Sequence, residues 1–191
     1  HQNDLPQREG ETRRVLGVIR PTAECIGQIT HSRHVGILAT SGTISSGSYP
    51  LEIRKLYPDI VVSGEACPMW VPLVENYEYD SPGADYFVEK RIGNLLRKDP
   101  AIDTIVLGCT HYPLLLNKIL KYTPRNVRIV PQGEYVAYSL KDYLQRHTEI
   151  ETLCTQSGTC RFLTTESPDK FMESASIFLR QHVEAERVVL E

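Results

Sequence analysis

The stretch Asp103-Thr104-Ile105-Val106-Leu107-Gly108-Cys109-Thr110-His111-Tyr112-Pro113-Leu114-Leu115 sets a thiol, a hydroxyl and an imidazole on three consecutive residues. A buried strand is predicted to run into Gly108, and a helix to restart near Pro113. Cys109, Thr110 and His111 then lie on a turn at the C-terminal end of a strand, the edge where open parallel sheets bind ligands. The unpaired N–H groups of the following helix would favour an anion there, and thiolate over thiol at Cys109. An ordinary cysteine has a pKa of about 8.5, so a modest downward shift is expected to make Cys109 a base near neutral pH. His111 could hold a proton or polarise a substrate, and the Thr110 hydroxyl and backbone could bind a carboxylate. The competing readings are plain. A cysteine at a strand end also serves as a small buried hydrophobe, and a turn histidine as a surface hydrogen-bonding group.

The elements that would position this turn follow from the hydrophobic pattern. Val15–Ile19, Val35–Ala39, Ile60–Val62, Thr104–Leu107, Val127–Val130 and Phe162–Thr164 are short apolar runs without alternation, as expected of strands buried on both faces. Helical spacing appears between them. Ser81-Pro82 reads as an N-cap and first-turn proline, followed by Val88, Ile92, Leu95 and Leu96 on one face. Val136, Leu140, Tyr143 and Leu144 repeat the spacing. So do Phe171, Ala175, Phe178 and Leu179 after Ser167-Pro168. These stripes are expected to pack into a core. The alternation predicts βαβ units and a mainly parallel α/β sheet. Residues through about Arg14 read as a loop or helix remnant, and the charged tail after Gln181 as frayed.

Composition narrows the class. The 191 residues are 41% hydrophobic and 24% charged, with a net charge of −3, so no basic excess suggests a nucleic-acid partner. No apolar run approaches the length that spans a bilayer, and the start His1-Gln2-Asn3-Asp4 has no apolar signal core. Cysteines at 25, 67, 109, 154 and 160 match neither a disulfide framework nor a zinc pattern. The spacing of Cys154 and Cys160 is too wide, and no second pair follows. Free thiols in a reducing cytoplasm, with no metal, are the expectation.

Gly108-Cys109-Thr110-His111-Tyr112-Pro113-Leu114-Leu115 resembles the second-cysteine motif of glutamate racemases. Three further stretches agree in order: Gly17-Val18-Ile19-Arg20-Pro21, Gly36-Ile37-Leu38-Ala39-Thr40-Ser41-Gly42-Thr43, and Glu65-Ala66-Cys67-Pro68-Met69-Trp70-Val71-Pro72-Leu73-Val74-Glu75. The resemblance runs from about Leu16 to Phe178. It implies interconversion of L- and D-glutamate without any cofactor, the D-glutamate serving peptidoglycan. Two cysteines would act on opposite faces of the substrate Cα. A single base would tend to return its proton to the face it left. The resemblance further implies that Cys109 is the second catalytic cysteine and that Thr110 and His111 contact substrate, with His111 assisting Cys109. Glu75 would support the site near His111, and Thr43 and Thr40 would lie on a turn near the substrate. Without the resemblance, Glu75 reads as a solvated charge and the threonines as a capped turn. Cys67 matches a structural position. Cys25, Cys154 and Cys160 are read as structural or incidental. A homodimer is among the assemblies that the resemblance allows.

The family's first half carries an Asp-Ser near its N-terminus, a Tyr-Gly substrate loop and a Cys-Asn-Thr motif; the first residues of this chain hold no Asp-Ser, the other two motifs do not occur, and there is no initiator Met. The chain therefore reads as a processed product or a piece of something longer. Residues 1–21 would end an incomplete first domain, 22–130 would form a complete α/β second domain, and 131–191 would return to the first. On that reading the isolated chain is inactive, with 131–191 the part most prone to misplacement. Pro131-Gln132-Gly133 stands where the family often has an acidic residue. Two alternatives compete. Aspartate and hydantoin racemases share the two-cysteine plan, although the Cys-Pro and Val-Pro-Leu-Val-Glu segment favours glutamate. A non-catalytic binding module, or a pseudo-enzyme half, would need no first cysteine.

Overall fold

Strand β1 (His34–Ala39) is buried along all but its first residue, because strands lie against both of its edges and helices against both of its faces. A computed structural model describes residues 16–156 and 158–190 of the chain. Before β1 comes helix α1 (Ile19–Ile29). After it come α2 (Ser41–Ser46), α3 (Ser48–Leu56), β2 (Val61–Ala66), α4 (Trp70–Glu75) and α5 (Pro82–Lys98). Strand β3 (Thr104–Leu107) leads into a 3₁₀ turn at Tyr112–Leu115 and helix α6 (Leu116–Tyr122), followed by β4 (Arg128–Pro131). The four strands form one parallel sheet in the order β2-β1-β3-β4. The C-terminal part holds α7 (Gln132–Arg146), α8 (Thr148–Glu151), β5 (Phe162–Thr164), α9 (Pro168–Leu179) and β6 (Ala185–Arg187), with β5 and β6 pairing in parallel as a separate two-stranded sheet.

Alternation along each strand divides the core in two. Leu38, Ile105 and Leu107 face α4, α5 and the segment around Tyr112, packing with Trp70, Val88, Ile92 and Leu95. Val35, Ile37, Ala39 and Val106 face α1 and α3, packing with Ile26, Tyr49 and Ile53. The two-layered cover is the α/β arrangement expected from the strand–helix alternation.

Helix α5 starts as its sequence specifies. The Ser81 side chain accepts a hydrogen bond from Ala84 N at 3.2 Å, with Pro82 in the first turn. Replacing Ser81 by Ala is expected to cost about 1 kcal/mol. Urea unfolding of the two proteins checks this, and coincident midpoints would refute it.

Asp103 staples the approach to β1 onto the approach to β3. It accepts from Thr30 Oγ1 at 2.6 Å, from the His31 and Ser32 N–H groups at 2.7 Å each, and from Thr104 Oγ1 at 2.9 Å. Burial pushes its pKa up, but these donors outweigh burial and hold it well below the usual carboxylate range. A depressed folded-state pKa adds stability above the unfolded value of about 3.9, and that contribution is lost as pH falls below it. Stability should therefore fall progressively from about pH 5 to below pH 2, with a smaller fall in Asp103→Asn. Equal drops in the two proteins would reject the staple.

Several expectations need correction. Val15 lies outside the described residues, as do residues 1–14. Leu16–Val18 form no strand, and Ile19 opens α1 instead. A strand needs a ladder partner, and among the described residues none runs beside this segment. Strand β2 continues four residues past Val62, through Ser63, Gly64 and Glu65 to Ala66. Polar residues are tolerated on this edge strand because Arg91, Asn94 and Lys98 satisfy the buried Glu65 carboxylate at 3.0, 3.1 and 2.7 Å. The apolar stripes of α7 and α9 form helices but bury no residue fully, since each packs against few neighbours. Ser167 makes no side-chain cap. Residues 182–190 are tied down rather than frayed: Val183 is buried, its N–H bonds to Ser176 Oγ at 3.2 Å, and Ala185–Arg187 pair with β5. Among the described residues, no helix is long and apolar enough to cross a membrane.

Candidate active site

In the order β2-β1-β3-β4 the chain leaves β1 toward one edge of the sheet and β3 toward the other. The carboxyl ends of these two neighbours therefore flank a crevice. Thr40 follows β1 and Cys109 follows β3. Gly108 lets the β3 exit pass close: its N–H bonds to Leu38 O at 2.8 Å, and a Cβ there would sit 3.1 Å from Ala39 Cβ and 3.2 Å from the Tyr49 ring.

At the mouth of this crevice Cys109, His111 and Glu75 form a line. Cys109 Sγ lies 3.8 Å from His111 Nδ1, and His111 Nε2 lies 3.4 Å from Glu75 Oε1. The imidazole thus bridges a thiol and a carboxylate with its two nitrogens. With Nε2–H directed at the carboxylate, Nδ1 can accept the thiol proton. With both nitrogens protonated, Nδ1–H can donate to a thiolate. Cys109 and the His111 ring are part-buried, whereas Glu75 is 60% exposed, so its pairing depends on how the end of α4 is held.

The expected downward shift of Cys109 is not found. Burial raises its pKa, the N–H groups of His111 and Tyr112 pull it down, and the charge of Glu75 adds to the rise, leaving a net increase. The physical reason is burial: two amide donors reach the sulfur from the start of a short 3₁₀ turn, and they do not offset the loss of solvent.

Thr40 Oγ1 lies 3.0 Å from Thr43 Oγ1 and accepts from Thr43 N at 3.4 Å, so it caps the short helix α2. That is the capped-turn arrangement, placed at the β1 end of the crevice. Thr110 is exposed beside Cys109. Cys67 is fully buried, its thiol pushed far up by burial, which suits a structural role. Cys25 is part-buried with its pKa also raised by burial, while Cys154 and Cys160 are exposed and free.

Two residues at the crevice had no sequence signal. Tyr49 is buried, its pKa pushed up to about 12 by burial and then by the nearby Cys109. Gln132, in the segment that departs from the family pattern, donates from Nε2 to the Tyr49 hydroxyl. Each stands at the start of a helix, Tyr49 in α3 and Gln132 in α7, where a single residue type announces no role. A cavity of about 560 Å³ lies elsewhere, between α1 and α7, walled by Leu16, Val18, Pro21, Val136, Leu140 and Tyr143. It contains none of Cys109, His111 or Glu75.

A parallel-sheet domain with a cysteine at the switch point and an imidazole beside it belongs, by its sequence, to the Asp/Glu/Hydantoin racemase family, which it matches over residues 14–134. Within that family the similarity is to glutamate racemases. The chain is 35% identical over 170 residues to one from Thermoanaerobacter sp. (strain X514), covering 89% of this chain and 63% of that protein. The structure of glutamate racemase isoform RacE1 from Bacillus anthracis superposes with a TM-score of 0.84 at 31% identity, over 95% of this chain and 67% of that one. A glutamate racemase from Thermus thermophilus, solved in complex with beta-chloro-D-alanine, gives 0.74 at 30% identity over 95% of this chain and 65% of that one. The chain thus spans about two thirds of the length of the relatives it matches.

Proposed function

We propose that this chain carries one of the two bases of a cofactor-independent glutamate racemase. The observation that supports it most directly is the Cys109–His111–Glu75 line at the crevice between β1 and β3. Cys109, as thiolate, takes the Cα proton from one face of glutamate, on the L-glutamate side by resemblance. A second thiol, carried by the third of the relatives' length that this chain does not cover, gives a proton to the other face. In the reverse direction the roles exchange, so the reaction is balanced without any redox partner. A raised resting pKa keeps Cys109 protonated at neutral pH, and once His111 takes that proton the thiolate left behind is the stronger base for it. Glu75 fixes the imidazole and balances its charge. The Cα–H is a very weak acid, so the developing negative charge must be met by fixed donors. Thr110, Thr40 and Thr43 suit the glutamate carboxylates. The product D-glutamate would serve peptidoglycan, made from cytoplasmic precursors.

The test is deuterium entry at Cα of L- or D-glutamate in deuterated water. The chain alone should give no inversion. Supplied with the N-terminal portion of a full-length relative, it should racemise glutamate in preference to aspartate. Silence in that combination would sink the proposal and favour a binding module, and preference for aspartate would reassign the substrate.

A further inference from the structure

Helix α4 ends in an unusual way. After Glu75 and the cap residue Asn76, Tyr77 N–H bonds to Val74 O at 3.1 Å and Glu78 N–H to Leu73 O at 2.8 Å. These two bonds define a Schellman turn, whose left-handed position usually falls to glycine or asparagine. Here it is Tyr77, with φ at 60°. The ring that replaces the expected hydrogen is held by the C-terminal segment. Tyr77 Oη lies 2.9 Å from Ser174 Oγ on α9, and its ring centroid lies 6.1 Å from that of Phe178. Phe178 also meets Tyr79 at 6.5 Å, edge to face, and packs against the core beneath α4. The exposed carboxylate of Glu75 is thus two residues from a turn gripped by a helix a hundred residues further along.

We infer that α9 is a clamp on the end of α4, with Tyr77 as the positioning residue that sets Glu75 against His111 and so tunes the Cys109 thiol. The inference rests on the proposed function only in taking these three side chains as the working set. Its test uses no glutamate, so silence in the racemisation assay would leave it standing, and its own failure would leave the racemase reading intact. Glycine fits the left-handed position better than tyrosine, so Tyr77→Gly removes the clamp while relieving the backbone. The relieved backbone offsets part of what the lost ring contacts cost.

The readout is the pH profile of Cys109 alkylation by iodoacetamide in the full chain. Peptide mass spectrometry separates Cys109 from the other four cysteines. Burial raises the Cys109 pKa most and the Glu75 charge adds to the rise, so Glu75→Gln should move the midpoint down by a few tenths of a pH unit, as expected for one like charge acting across an imidazole in a high dielectric. Tyr77→Gly and Phe178→Ala should move it the same way. Glu75→Gln/Tyr77→Gly should move it no further than Glu75→Gln alone, and Phe178→Tyr should keep the original profile. A shift in Glu75→Gln that Tyr77→Gly does not share would overturn the clamp. So would additive shifts in the double variant, or no shift in Glu75→Gln.

Discussion

Combined with the N-terminal portion of a full-length relative, the Cys109→Ser chain will exchange glutamate Cα protons about 10²–10⁴-fold more slowly than the unaltered chain, the usual contribution of one acid–base group. Serine keeps the shape of the turn and its amide donors, but its hydroxyl is far too weak an acid to shuttle protons at neutral pH. The change should appear in kcat with little effect on KM, because the lost interaction belongs to the transition state. Cys67→Ser is the control. That thiol is sealed in the core beneath Tyr112, whose hydroxyl donates to the Cys67 carbonyl at 3.3 Å. Its replacement should change stability and leave the residual rate of folded protein intact. Equal loss in the two variants would mean that Cys109 acts only through packing.

The largest loss of stability is expected for Trp70→Ala, at about 3–5 kcal/mol, a large part of the 5–15 kcal/mol that a domain commonly has. Trp70 is fully buried at the start of α4. Its ring meets Tyr112 edge to face at 4.7 Å, and its Nε1–H donates to Phe87 O at 3.3 Å. The truncation would leave a cavity beside an unpaired carbonyl. Tyr112 follows His111, and α4 ends at Glu75, so this ring pair lies under both partners in the 3.4 Å contact. Chemical denaturation of Trp70→Ala and Trp70→Phe measures the effect, and the phenylalanine variant should retain more than half of the loss. A change under 1 kcal/mol in Trp70→Ala would mean that the core closes around the gap.

Sequence pattern served best where burial is symmetric. Thr104–Leu107 was legible to the residue and is buried throughout, and Ser81-Pro82 marked its helix start; Phe162–Thr164 has the expected bounds but not the expected burial, because it lies in a two-stranded sheet that leaves Leu163 exposed. The pattern misled where packing depends on distant partners. The stripes of α7 and α9 are as regular as that of α5, yet only α5 buries most of its stripe, Val88, Ile92 and Leu95 fully and Leu96 in part, since a stripe says which face is apolar and not what covers it. The polar half of β2 was invisible because Glu65 becomes tolerable only once Arg91 and Lys98 arrive from α5. At the site, Cys109 and His111 stood out as neighbours in sequence. Their link to Glu75 came from resemblance alone, and Tyr49 and Tyr77 act through contacts that no spacing announces.

Because every pairing in the main sheet is parallel, no hairpin can form it piecemeal as the chain leaves the ribosome. The β1–β2 ladder becomes available once Ala66 has emerged, but the second edge of β1 waits for Thr104–Leu107, its ladder partner from Val35 to Leu38. Throughout that interval Val35 and Ile37 sit on an open, apolar edge strand, the kind of surface that recruits other chains. Slow, non-local closure of this sort favours aggregation when synthesis of the intervening segment is slow or warm. Yield of the native chain should therefore depend on elongation rate more than on equilibrium stability, and the cysteine turn after β3 takes its place only when that window closes.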